Sequence, residues 1–141
     1  MNIIKETVEL VTIKYDNGAI AKRYTQKNDK YHGLFQEYWG DSNKKYKECN
    51  YVDGVLNGLY QTWHANGKIA EKYTYVNNIR EGLYEEWYEN GNKTVEFIAV
   101  NGSVDGIAIS WNEDGTFKQL KYFKNNKEVN HTVNREAHFS T

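Results

Sequence analysis

Proline is absent from the chain, cysteine occurs once as Cys49, and long apolar runs are missing. A single cysteine excludes an intrachain disulfide, which fits a reducing compartment. No stretch approaches the roughly 20 consecutive apolar residues of a membrane helix. Net charge is missing too: 18 basic against 19 acidic side chains leave a formal charge of −1. That balance excludes a binder driven by a concentrated basic surface, so nucleic acid is not an expected partner. The first residues, MNIIKETVEL, lack an apolar core and a small-residue cleavage site, so no signal peptide is expected and the expected location is cytoplasmic.

What the chain does have is aromatic side chains, twelve of them Tyr and four Trp. Such a composition suits a pleated, half-buried surface better than a helix bundle. The aromatics recur in phase. Residues 58–82 read GLYQTWHANGKIAEKYTYVNNIREG: a strand-like run, a turn at Asn66-Gly67, a return run through Ile69, Tyr73, Tyr75 and Val76, and a second turn at Asn77-Asn78. Asn-Gly between alternating aromatic runs signals a hairpin, and a type I′ turn with φ > 0 at both central residues is expected there.

Aligned on Gly58 and Gly82, the pattern recurs upstream from Gly33 and downstream from Gly106, at spacings of 25, 24 and 24 residues. The first turn returns as Asn17-Gly18, Asn90-Gly91 and Asp114-Gly115. Gly40-Asp41-Ser42-Asn43 carries one extra residue, expected to form a longer loop or a bulge. The second turn returns as Asp53-Gly54, Asn101-Gly102 and Asn125-Asn126. Five units fit, the first without its glycine. The expected fold is all-β: an elongated, single-layer antiparallel β-meander of about five hairpin repeats with a 24-residue period and about ten strands. Residues 1–126 form the repeat domain. Residues 127–141, which include the polar Asn130-His131-Thr132, are expected to be a C-terminal cap or flexible tail.

The repeat resembles the MORN family, most closely its bacterial variant in antitoxins of the YwqK type. Gly82-Leu83-Tyr84-Glu85-Glu86-Trp87-Tyr88-Glu89-Asn90-Gly91, followed by Ala99-Val100-Asn101-Gly102, carries the resemblance. It extends over roughly residues 10–126. The departures are the missing first glycine, the irregular turn of the second unit, and Ala108 and Asn112 at aromatic positions. The resemblance implies a non-enzymatic repeat surface and a protein partner, in an antitoxin or immunity role a toxin.

Alternation splits each opening strand into two columns. One holds Leu34, Leu59, Leu83 and Ile107, then Tyr38, Trp63, Trp87 and Trp111; a regular apolar ladder of this kind is expected to be core. The other holds Phe35, Tyr60, Tyr84 and Ala108, then Trp39, His64, Tyr88 and Asn112. This second column loses its aromatic character in the fifth unit. Two readings stand: rings covering one face of a twisted sheet with a polar capping unit, or a partner-binding patch made of Phe35, Trp39, Tyr60, His64, Tyr84 and Tyr88. The recurring glycines are expected to permit φ > 0 or close backbone approach rather than to cradle phosphate, since no GxGxxG or Walker spacing is present.

Chemistry has no constellation. His32, His64, His131 and His138 follow no zinc spacing, and Asn112-Glu113-Asp114-Gly115 lacks the calcium-loop ligand series, so no metal or other cofactor is expected. Cys49 aligns with Tyr73 and Phe97, as a buried thiol at a ring position rather than a nucleophile. Glu85 and Glu86 point to opposite faces. Glu37, Glu71 and Glu86 can approach across strands, but such residues more often form a solvated face, here balanced by Lys68, Lys72 and Lys93. No catalytic role is assigned. Besides a protein partner, a lipid-bound scaffold and a homodimer are alternatives. The missing polybasic stripe disfavours the membrane, whereas sheet ends offer edges for self-pairing unless Met1–Glu9 and Lys124–Asn130 cap them.

Overall fold

A computed structural model describes residues 6–40 and 42–130. Asp41, His131 and His138, with most of the expected cap or tail, lie outside the described residues. Thirteen strands form one antiparallel sheet and, among the described residues, no helix occurs. The strands are β1 (Val8–Lys14), β2 (Ile20–Lys27), β3 (Lys30–Tyr38), β4 (Lys45–Val52), β5 (Val55–Leu56), β6 (Gly58–Trp63) and β7 (Ile69–Val76). They continue as β8 (Ile79–Arg80), β9 (Gly82–Trp87), β10 (Lys93–Val100), β11 (Ser103–Trp111), β12 (Phe117–Lys124) and β13 (Lys127–Glu128). Ten are the long strands of a five-hairpin meander. The other three, β5, β8 and β13, are two-residue returns after the second turn, pairing with β4, β7 and β12.

The two turns of a unit differ. At the second turn both central residues have positive φ: 49° and 67° at Asn77-Asn78, 50° and 66° at Asn125-Asn126. That is the I′ requirement, met here by short polar side chains that tolerate the left-handed region. Asn28-Asp29, at 51° and 60°, is a further member of this series, 25 residues before Asp53-Gly54. The first turn is not I′, contrary to expectation. Only the glycine is left-handed there, Gly67 at 85°, while Asn66 is not. Gly67 N–H donates to the His64 carbonyl at 2.9 Å and His64 N–H to the Lys68 carbonyl at 2.8 Å, as in a type I turn followed by an αL glycine bulge. The ladder slips at the same place, between Thr62 and Trp63.

In the second unit Asn43, at φ 51°, takes the left-handed place of the glycine. There Trp39 N–H reaches the Lys44 carbonyl at 2.8 Å, spanning one residue more than the other first turns.

The strand-opening glycines carry positive φ, as expected. Gly33, at 99°, also shows the close approach: a Cβ there would stand 2.6 Å from Thr25 Oγ1, a hydroxyl that donates to the neighbouring His32 carbonyl.

The core is thin and lies on one face. Phe35, Cys49, Tyr73, Tyr84 and Ala99 are the buried apolar residues among those described. Tyr60 and Tyr73 stack 4.8 Å apart, Tyr73 and Tyr84 5.2 Å apart, and Tyr84 and Phe97 4.6 Å apart, with ring planes within 26°. Spacing of this size is the strand separation itself, so equivalent rings on neighbouring strands meet face to face. A second cluster joins Tyr24, Tyr31, Phe35 and Tyr51. Cys49 sits directly opposite Phe35 and is 1% exposed, the buried thiol at a ring position that the alignment indicates. The Lys47 ammonium bridges the two clusters, 5.2 Å from the Phe35 ring centre and 5.5 Å from that of Tyr60. Burial pushes the Cys49 thiol and the Tyr73 and Tyr84 phenols up from their ordinary values.

The expected assignment of faces is therefore corrected. Leu34, Leu59, Leu83 and Ile107, expected as core, are 43–47% exposed, while the alternating column beside them holds the buried rings. The physical reason lies on the return strands. Tyr60 faces Tyr73 and Tyr84 faces Phe97, but Leu34 faces Asn50 and Leu59 faces Thr74. Rings find rings on one face only, and among the described residues no second layer covers the other.

Candidate interaction surface

The six residues expected to bind a partner divide in two. Phe35, Tyr60 and Tyr84 belong to the aromatic core, and at 3% and 9% exposure Phe35 and Tyr84 present almost no surface to contact. Trp39, His64 and Tyr88 lie beyond them at the first turns, and two of these three clamp one repeat to the next. The His64 ring, through Nε2, is 2.8 Å from the Trp87 carbonyl, so Nε2 carries the proton. Tyr88 OH donates to the Trp111 carbonyl at 2.9 Å, as Tyr15 OH does to that of Tyr38. Each bond spans 23 residues. Trp39, 38% exposed, leans on Tyr46 with ring centres 5.1 Å apart.

The turn asparagines form a second clamp series. Asn66 Oδ1 accepts from its own Lys68 N–H at 3.0 Å, while its Nδ2 donates to the Glu89 carbonyl of the next unit at 2.6 Å. Asn90 repeats both bonds with Asn92 and Glu113, and Asn17 with Ala19 and Gly40. In the fifth unit Asp114 has no amide to donate, and Asn112 turns inward onto Thr116 at 3.0 Å. The loss of aromatic character at Asn112 thus coincides with the end of the clamp series.

A contiguous exposed apolar surface is found on the opposite face. Leu83 pairs in register with Ile98, and Ile107 with Tyr122. All four are 41–47% exposed, as are Leu59, Val76, Val100 and Leu120 around them. Leu59, Val76 and Leu83 border a groove of about 430 Å³ walled by Lys72, Glu81 and Glu85. The stripe thickens toward the C-terminal half, because Leu34 and Leu59 face Asn50 and Thr74, whereas Leu83 and Ile107 face apolar partners. Scattered exposed leucines need no explanation; here they join into a connected stripe rimmed by polar groups.

Charged pairs frame this face. Lys93 Nζ lies 2.8 Å from both Glu85 and Glu96 and 5.6 Å from the Trp87 ring centre. Burial works against the Lys93 charge, but its bonds to Glu85 and Glu96 prevail and hold its pKa above the ordinary value. Glu48 is likewise pushed up by burial and held lower on balance by hydrogen bonds from Lys45 and Gln36. Lys93 and Glu48 therefore stay ionised near neutral pH and fix polar landmarks beside an apolar stripe.

The acidic approach proposed from sequence is partly present. Glu71 stands opposite Glu86 on the aromatic face, and burial, then the Glu86 charge, raise the Glu71 pKa. Glu37 is elsewhere, accepting from Tyr46 and lying 3.9 Å from Lys47. Glu85 and Glu86 do point to opposite faces, toward Lys93 and Tyr84. Among the described residues no group of three or more His, Cys, Asp or Glu side chains is gathered to hold a metal, and no helix is long and apolar enough to cross a membrane.

Hairpins clamped in series, with one face sealed by rings and the other apolar and uncovered among the described residues, define a β-hairpin repeat module. A family model described as a MORN repeat variant matches residues 56–77 and 80–97, the third and fourth units. MORN repeats in general are non-enzymatic modules of protein or membrane interaction. No curated protein matches the chain.

Proposed function

We propose that the protein is an interaction module that holds a protein partner on the Leu59–Leu83–Ile98–Ile107 stripe. The observation that carries this reading is eight large apolar side chains exposed together on a single-layer sheet. An extended, uncovered face suits a protein surface better than a small substrate. Leu83 and Ile98 provide apolar anchors, and the ion pairs of Lys93 with Glu85 and Glu96 set register at the rim. The antitoxin form of this reading, with a toxin occluded by the stripe, is supported by the resemblance to YwqK-type proteins. Affinity capture of the native partner with wild type and with the Leu59→Asp/Leu83→Asp double variant tests the proposal. One stoichiometric protein retained by wild type and lost by the variant, with circular dichroism unchanged, is expected. Retention by both removes the stripe from the interface. Growth rescue on co-expression of the captured protein tests the antitoxin form.

Self-association is a second reading with an observation of its own. Strand β1 pairs on one side only among the described residues, and its Val8 and Leu10 are 57% and 63% exposed. An open, apolar edge is a template for another strand. A dimer in sedimentation velocity that dissociates on Leu10→Lys supports edge pairing, and a monomeric wild type removes it.

A further inference from the structure

The aromatic face has a missing rung. From Tyr60 the stack runs through Tyr73 and Tyr84 to Phe97, and the next position in register, directly opposite Phe97, is Ala108. Ala108 occupies the place that Tyr84 holds one unit earlier, 24 residues back. A methyl there leaves a cavity of about 250 Å³ on the face of the sheet, lined by Val95, Ala108, Ser110, Gln119, Lys121 and Phe123. A cavity of about 150 Å³ suffices to hold benzene.

An independent observation comes from one residue pair further along the strand. Tyr84 OH donates to Glu86 at 3.3 Å. The residue equivalent to Glu86, again 24 positions on, is Ser110, and its Oγ is buried with no hydrogen-bond partner among the described residues. The fifth unit therefore lacks a ring and also leaves stranded the group that the ring's hydroxyl would meet. Buried polar atoms are satisfied in the great majority of cases, and an exception calls for a missing partner.

We propose that this cavity binds a phenol ring supplied in trans. The ring lies over the Ala108 methyl between Val95 and Phe123, and its hydroxyl pairs with Ser110 Oγ. Val95 and Phe123 line the cavity with apolar surface. The Lys121 ammonium is engaged by Glu128 at 3.2 Å, so the site selects a neutral phenol rather than an anion. The site lies on the face opposite the leucine stripe and does not depend on the reading of that stripe.

The test is titration of the whole chain with p-cresol, followed by amide chemical shifts. Saturable shifts at Ala108, Ser110 and Gln119 are expected, with toluene binding about fivefold more weakly, the usual net value of one neutral hydrogen bond. Ala108→Tyr places the ring in cis: it is expected to raise Tm and abolish p-cresol binding. Ser110→Ala, a small change that keeps the fold, is expected to remove the preference of p-cresol over toluene. A peptide carrying one tyrosine, titrated alongside, distinguishes the source: tighter binding than p-cresol assigns the site to a partner chain, and equal or weaker binding assigns it to a free phenol. Absence of saturable shifts with wild type, or shifts that persist in Ala108→Tyr, overturns the proposal.

Discussion

Leu83 and Tyr84 are neighbours on one strand, and truncating each to alanine separates the two faces of the sheet. Tyr84 is 9% exposed and sandwiched between Tyr73 and Phe97, with the Arg80 guanidinium 5.6 Å from its ring centre. Removing a buried aromatic ring costs about 3–5 kcal/mol, and here two stacked pairs are lost together. Leu83 is 47% exposed, so its truncation forfeits roughly half of a leucine's transfer energy, about 1 kcal/mol. For a chain of this size each kcal/mol moves Tm by about 3–4 °C. Tyr84→Ala should therefore melt about 10–15 °C below wild type, and Leu83→Ala within about 4 °C of it, by circular dichroism in the same buffer. Partner capture should show the reverse ranking, with Leu83→Ala losing affinity. Equal destabilisation by the two variants, or a larger effect at Leu83, would refute the assignment of the aromatic face as core.

Three further outcomes follow from single side chains. Asn78, left-handed at φ 67°, accepts from Leu56 N–H at 2.8 Å; Asn78→Ala should cost about 2 kcal/mol in denaturant unfolding, and Asn78→Gly, which keeps the turn and loses only the side-chain bond, about half that. The raised Glu71 pKa means its contribution to stability is greatest below its ordinary value of 4.5 and is lost as pH rises through the folded value. Glu71→Gln, relieving the opposed Glu86, should raise Tm by about 1–3 °C at pH 7, a gain on the scale of one cross-strand pair, and the gain should vanish near pH 4; a gain that is independent of pH would point to packing instead. Cys49, buried and with its thiol pKa pushed up, should react with iodoacetamide only in denaturant, and stoichiometric labelling of the native protein would contradict its burial.

Much of this architecture was legible. The Asn-Gly and Asn-Asn dipeptides in 24-residue phase fixed the hairpins, and the ten long strands follow from them. The faces were harder to read. Leu59 and Tyr60 are both apolar, so alternation separates the columns without saying which is buried. The deciding signal was present on the return strands, where Tyr73 and Phe97 meet Tyr60 and Tyr84 in register while Asn50 and Thr74 meet the leucines. Reading each strand alone hides it. His64 and Tyr88 show a related difficulty: an aromatic at a turn reads as an anchor, and its polar atom's bond to a carbonyl 23 residues away is invisible in one strand. The I′ expectation at Asn66-Gly67 failed because the side-chain bond from Asn66 to Lys68 N–H favours the right-handed asparagine and leaves only glycine to turn left. Ala108 was seen as a departure, but the stranded Ser110 hydroxyl needs the three-dimensional register to be noticed.

The clamps have a consequence for how such a chain can change. The hydrogen bonds that tie repeats together span 20–23 residues, so each hairpin is acquainted only with its immediate neighbours. Removing residues 58–81 as a block would bring Asn57 to Gly82, an opening glycine in place of an opening glycine, and every junction would find an equivalent one. Length in this protein is thus a currency separate from fold: a gene that gains or drops a 24-residue unit alters the reach of the surface without having to reinvent any packing.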